Sequence, residues 1–310
     1  MFNLKRKHDK FSPLTVIMLL VLLIWCVAFI YMMLWAFMQS IKIEYEFSYD
    51  KEHFPKFDEM TIANYKCVFM FADIDNWMGE AGSPNFAGLI VNTILYAVGG
   101  AFLNAAVTCL MAYLTAKYSY FYSKIIYGIV IVVMVVPVVG AQASEIQLLR
   151  WLHLYDTRFA FMVLKASFVG MYFLVFYAAF KSIPMTYSEA AMMDGASDWC
   201  IMVKICLPLV LNVFMTVFMI TFIQYWNDYQ LALLYMPHYP TLAYFIFKFK
   251  GASTGALEIP GYSEIHGTLD PRKIPVQLAA TFTLIFPILL IFIAFHKRLM
   301  GNLSIGGIKG

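Results

Sequence analysis

From Pro13 to Met38 no residue carries a charge, and five further apolar runs follow near residues 87–115, 122–147, 159–180, 205–226 and 275–296. At about 1.5 Å of rise per residue, each run is long enough as a helix to cross roughly 30 Å of hydrocarbon. Lipid offers no partner to an unpaired N–H or C=O, so a run of this length must close its hydrogen bonds within itself. The expected class is therefore an all-α integral membrane protein with six transmembrane helices. Composition agrees, with 62% hydrophobic and only 13% charged residues, far outside the soluble range. A net charge of +3 with dispersed basic residues gives no basic patch for nucleic acid. Five cysteines, an odd number without metal-ligand spacing, argue against a disulfide framework or a zinc site. Of these, Cys67 is expected in an exposed loop.

Lys5, Arg6, Lys7 and Lys10 precede the first run, which places the N-terminal segment, residues 1–12, in the cytoplasm by the positive-inside rule. That run lacks a small-residue cleavage site and reads as a span, 13–38, rather than a removed signal. Residues 39–86 are then external and acidic, with Glu44, Glu46, Asp50 and Glu52 among their carboxylates, and are expected to form short helices. A core of five spans covers 87–296. It contains a cytoplasmic loop at about 184–208 and a second external loop, 227–274, whose glycines and prolines suggest an irregular, projecting chain. Six crossings return the tail, 297–310, to the cytoplasm, and His296, Lys297 and Arg298 agree.

The most informative stretch is Pro184-Met-Thr-Tyr-Ser-Glu189-Ala190-Ala191-Met-Met-Asp194-Gly195-Ala196-Ser197, continuing to Ile205, Leu207 and Pro208. Thr186 with Glu189 has the spacing of a capping box. Gly195 suits a left-handed helix stop, and Ser197 can cap a second short helix. An elbow of two helices with a small-residue surface is predicted. This pattern resembles the EAA coupling loop of bacterial ABC-importer permeases, and Asp194-Gly195-Ala196-Ser197 resembles the form found in the carbohydrate-uptake, maltose-type branch. Phe54-Pro55 with Asn64-Tyr65, Leu154-Tyr155-Asp156-Thr157, Trp226-Asn227-Asp228-Tyr229 with Leu233-Leu234-Tyr235, and the tail Gly306 to Gly310 resemble further segments of that family in the same order.

The resemblance implies the type I permease fold in a bacterial plasma membrane. It also implies a heterodimer with a second permease, two cytoplasmic ATPase subunits and an external sugar-binding lipoprotein. On that reading Glu189, Ala190, Ala191, Asp194, Gly195, Ile205, Leu207 and Pro208 form the surface coupled to the ATPase. ATP and Mg belong to the ATPase chains, since no Walker sequence occurs here. Substrate-path candidates are Gln224, Tyr225, Trp226, Asn227 and Asp228, whose rings and amides suit sugar faces and hydroxyls, although an aromatic belt has the same composition. Gly251, Ser253 and Gly255 are candidates for a loop entering the binding protein, with a passive connector as the alternative. Large external loops favour an oligosaccharide.

Gly251-Ala-Ser253-Thr-Gly255 matches a nucleophile elbow, but in an external loop it lacks the strand-to-helix turn that motif needs. Lys165 sits inside an apolar run, where snorkelling to the interface is favoured over a functional charge. Asn104, Gly99, Gly100, Ala105 and Ala106 read as small-residue helix packing. A membrane enzyme would need a catalytic constellation and a secondary transporter would need midplane charges, and neither stands out. Uptake of a non-sugar solute by the same machinery is the closest rival.

Overall fold

The computed structural model describes residues 13–73, 84–118, 120–136, 140–251 and 269–300, with side chains omitted at 161–162 and 294–300. Every regular element among them is helical: α1 Pro13–Ser40, α2 Glu44–Tyr49, α3 Ala63–Ala72, α4 Phe86–Lys117, α5 Phe121–Val135, α6 Gln142–Trp151 and α7 Ala160–Lys165. They continue as α8 Met171–Lys181, α9 Thr186–Met193, α10 Asp198–Ile201, α11 Leu207–Trp226, α12 Gln230–Tyr235, α13 Leu242–Lys250 and α14 Ile274–Met300. Four helical stretches among the described residues are long and apolar enough to cross a membrane, namely α1, α4, Asp198–Trp226 and the described part of α14.

The two remaining apolar runs are each broken in the middle. In the run 122–147, α5 stops at Val135 and Val136 turns extended (φ −83°, ψ 112°). A residue before proline is pushed out of the α region by the Pro Cδ. In the run 159–180, α7 ends at Lys165 and α8 restarts after Gly170, whose φ of +146° lies where a Cβ is disfavoured. The carbonyls exposed by this second break are answered from α4. Asn104 Nδ2 donates to the Lys165 and Ser167 carbonyls at 3.2 and 3.1 Å, and Thr108 Oγ1 donates to the Ser167 carbonyl at 3.3 Å. Irregular backbone survives in an apolar layer only with such partners. Asn104, expected to serve helix packing, is a backbone-satisfying group.

The chain divides into two compact units, residues 1–70 with 250–283 and residues 71–249 with 284–310. In the first, Lys42 is almost wholly buried, and its Nζ donates to the Asp50 carbonyl at 2.6 Å. Asn64 Nδ2 bridges the Ser40 and Lys42 carbonyls, and Lys273 pairs with Glu44 at 2.9 Å. Cys67 is buried within α3, not loop-exposed, because α3 turns that face inward alongside Ala63, Val68 and Phe71.

In the second unit the main core joins α4, α5, α8 and α11 through buried Ala105, Cys109, Val130, Phe173, Phe176, Phe180 and Val217. The small residues of α4 let these aromatics approach closely. Residues 227–250 correct an expectation: they form α12 and α13 rather than a projecting loop. Phe245 and Phe249 of α13 are buried, and its start is fixed on α4 by Asn92 Nδ2 to the Pro240 carbonyl and by the Leu242 amide to Thr93 Oγ1. The glycines that suggested a loop all lie at Gly251 and beyond, while Leu242, Phe245, Ile246 and Phe249 form the i, i+3, i+4, i+7 stripe that buries α13.

Candidate functional site

Two polar features stand out, an elbow at one end of α4 and a cavity towards the other. The elbow is α9 followed by α10. Gly195 adopts φ +79°. Its amide bonds the Met192 carbonyl at 3.0 Å, and the Ala196 amide bonds the Ala191 carbonyl at 2.9 Å. These two bonds are the Schellman closure, which demands a residue free of Cβ strain at that position. The Ser197 side chain then accepts from the Cys200 amide and caps α10. The expected capping box does not form. Met185 is already helical (φ −65°, ψ −24°) and no side chain caps α9, so Thr186 lies inside the first turn and cannot reach back as a cap.

Glu189, Ala190, Asp194 and Gly195 are exposed, whereas Ala191 is 8% exposed and belongs to the chain's own core. Of the two alanines expected to admit a partner, Ala190 alone is presented. Ile205 and Leu207 are half-buried and Pro208 is exposed. Between α10 and α11, Met202–Cys206 forms a π turn in which the Leu207 amide bonds the Met202 carbonyl. Pro208 accounts for it: a proline here lacks an N–H, and in regular α geometry its ring would strike the carbonyl four residues back. The elbow is anchored by Lys117, 9% exposed at the last turn of α4, whose Nζ donates to the Ile183 carbonyl at 2.7 Å. Sequence reasoning missed Lys117; the signal was a lone cation closing a long apolar run.

The cavity, about 530 Å³, is lined by Gln142, Glu145, Lys165, Asp228, Gln230 and Tyr235 together with leucines. Lys165 does not run outward to an interface. Its Nζ lies 3.4 Å from Asp228 Oδ2 and 4.6 Å from the centre of the Tyr225 ring, a cation–π position. Asp228 also accepts from the Tyr96 hydroxyl at 2.6 Å and from the Leu231 amide at 3.1 Å, the latter capping α12. The Tyr235 hydroxyl donates to Glu145. Burial, and then the Glu145 carboxylate, push the Tyr235 hydroxyl well above its ordinary range, so it remains a neutral donor.

Of the expected substrate-path residues the structure therefore brings Asp228 to the cavity lining and adds Glu145 and Lys165 from distant runs, while Tyr96 and Tyr225 contact the Lys165–Asp228 pair without lining the cavity. Trp226 is placed elsewhere: it is buried, and its indole N–H donates to the Leu284 carbonyl at 3.2 Å. Asn227 is exposed and donates to the Ile223 carbonyl of its own helix, and Gln224 is exposed. Gly251 is exposed, while Ser253 and Gly255 lie outside the described residues. No cluster of metal-ligating side chains occurs among the described residues.

Broken apolar helices around a polar cavity, combined with a capped surface elbow, define a helical membrane component of the transporting kind. The model of the family described as binding-protein-dependent transport system inner membrane component matches residues 108–299, and the chain belongs to that family. It is 24% identical over 288 residues to a diacetylchitobiose uptake system permease of Streptomyces coelicolor, covering 92% of this chain and 86% of the relative. It is 23% identical over 261 residues to a trehalose/maltose transport system permease of Thermococcus litoralis, covering 83% and 86%. In fold it is similar to a chain of a bacterial ABC transporter involved in the import of the acidic polysaccharide alginate, with TM-score 0.74 at 21% identity over 93% of this chain and 98% of that one.

Proposed function

We propose that this chain is one permease subunit of an ATP-driven importer that takes up a sugar, an oligosaccharide in particular, across a bacterial plasma membrane. In lipid it makes six crossings, two of them through broken helices, with both termini and the elbow on the cytoplasmic side. A second permease completes the path, and two ATPase chains hold ATP and Mg and perform the hydrolysis. An external sugar-binding lipoprotein delivers the substrate. Relatives named for uptake of sugars support the substrate class. The observation that carries the reading is the Schellman-closed elbow, which presents Glu189, Ala190 and Asp194 on a rigid bend pinned to α4 by Lys117.

In mechanism, closure of the ATPases displaces the elbow as a body, because its bend is fixed by backbone hydrogen bonds. Lys117 passes that displacement to α4, whose far end carries Tyr96 and the cavity. The permease pair then alternates between two states that the loaded binding protein and ATP bias unequally. Residues 251–256 act as the loop tip that meets the binding protein. The test is reconstitution of the full complex in vesicles with its binding protein. Expected are ATPase stimulation by the loaded binding protein and accumulation of labelled oligosaccharide; hydrolysis indifferent to the binding protein and absence of uptake would overturn the reading.

A further inference from the structure

The cavity carries more acid than base. Lys165 spends its charge on Asp228 and on the face of Tyr225. Asp228 is fully engaged by Tyr96, Leu231 and Lys165. Glu145 has no cation beside it among the described residues, and its partner is the neutral hydroxyl of Tyr235. A carboxylate entering this space would meet the negative charge of Glu145, and the one lysine of the described lining, Lys165, is already paired with Asp228, whereas carboxylates are bound most strongly by a free lysine or arginine.

The rest of the lining suits a polar but uncharged guest. Gln142 and Gln230 are exposed to the cavity, and their amides have no hydrogen-bond partner among the described residues. An amide offers donors and an acceptor together, which matches a hydroxyl in either role. Leu164, Leu231 and Leu234 supply apolar surface for sugar C–H faces. The volume of about 530 Å³ falls within the range typical of small-molecule sites, roughly 300–1,000 Å³.

We infer that this cavity, where Glu145 and the Gln142 and Gln230 amides adjoin the Lys165–Asp228 pair, binds an uncharged saccharide unit and rejects carboxylate-bearing ones, with Glu145 as the specificity-determining residue. The assignment rests on the import reading above and deepens it. Rejection is a repulsive element built into the wall, which is how sites of similar shape separate ligands that differ in charge alone.

The test uses the complete complex purified with its partner chains, without the binding protein. The probes are three neutral trisaccharides (maltotriose, cellotriose and tri-N-acetylchitotriose) and two uronates (trigalacturonate and trimannuronate), with affinities read by saturation-transfer NMR titration. At least one neutral probe should bind about tenfold or more tighter than either uronate. Glu145→Gln should narrow that ratio, and Glu145→Lys should invert it. Gln230→Lys, on the same wall and exposed, should shift it in the same direction and decides the matter if the Glu145 variants do not assemble. A uronate bound as tightly as the best neutral probe, binding of none of the five, or a ratio unmoved by the lysine substitutions would overturn the inference. Intact ATPase stimulation by the loaded binding protein alongside any of those results would remove this assignment and leave the import reading standing. Lost stimulation with the neutral preference intact would do the reverse.

Discussion

The two ends of α4 satisfy their polar groups in opposite ways. Near the start, Tyr96 joins a web made of side chains: a phenol, a carboxylate, an ammonium and a second ring. At the finish, Lys117 holds a backbone carbonyl beside an elbow that is itself closed by backbone bonds. The rise from Tyr96 to Lys117 is about 31 Å at 1.5 Å per residue, close to the thickness of the hydrocarbon layer. Side-chain partners can be exchanged for a ligand's hydroxyls or for water, whereas a Schellman closure cannot change partner without dismantling the turn. One end is thus suited to rearrangement and the other to transmission of force.

The comparison is broken most severely by removing Asp228. Asp228→Ala should lower stability by about 3 kcal/mol, since it strips partners from Tyr96, Leu231 and a half-buried ammonium at once. Thermal unfolding of the complex in nanodiscs measures this. The double substitution with Lys165→Met should cost less than the sum of the two singles. Additive losses would mean that the web is not one unit.

Next in size is Gly195→Val. Nothing lies within 4 Å of a Cβ placed at Gly195, so the penalty is backbone strain alone, about 2 kcal/mol in the left-handed region. Stimulation of ATPase by the loaded binding protein should fall at least about tenfold while the spans stay folded. Gly195→Asn should fall less, because asparagine tolerates that conformation. Unchanged stimulation in the valine variant would show that the bend is not the transmitting part.

Lys117→Met should cost about 1 kcal/mol of stability but reduce the ratio of stimulated to basal ATPase several-fold. Lys117→Arg, which keeps a charged donor, should retain more of that ratio. A drop in stability with the ratio preserved would make Lys117 a staple and not a transmitter. The smallest expected effect is that of Ser253→Ala, which should leave uptake unchanged in the vesicle assay. Loss of uptake with normal assembly would demand a role for that hydroxyl.

How much of this was legible depended on distance along the chain. Length and apolarity were enough to place α1, α4, α11 and α14, because a span is a local property. Gly195 was readable for the same reason: a helix stop is decided within a few residues. The break after Lys165 was harder. Gly170 hints at it, but what makes it tolerable is Asn104 and Thr108, about sixty positions earlier. The cavity was least legible, because Tyr96, Glu145 and Lys165 become neighbours of Asp228 only through packing. Trp226 misled for a related reason, since an aromatic at a span's end has the same local signature whether it faces lipid, a cavity or, as here, the Leu284 carbonyl.

The π turn at Met202–Cys206 has a consequence for the other end of its helix. Each residue of an α-helix advances the side-chain direction by about 100°, and a π turn takes up roughly one residue more than a regular turn does. It therefore acts as a phase shifter between elbow and cavity. Pro208 bars a return to regular helix, so the turn sets α11 about 100° away, around its own axis, from where an unbroken helix would place it. That setting helps to turn Tyr225 towards Lys165. Which way the far end of this span faces is thus decided at its elbow end, by one proline.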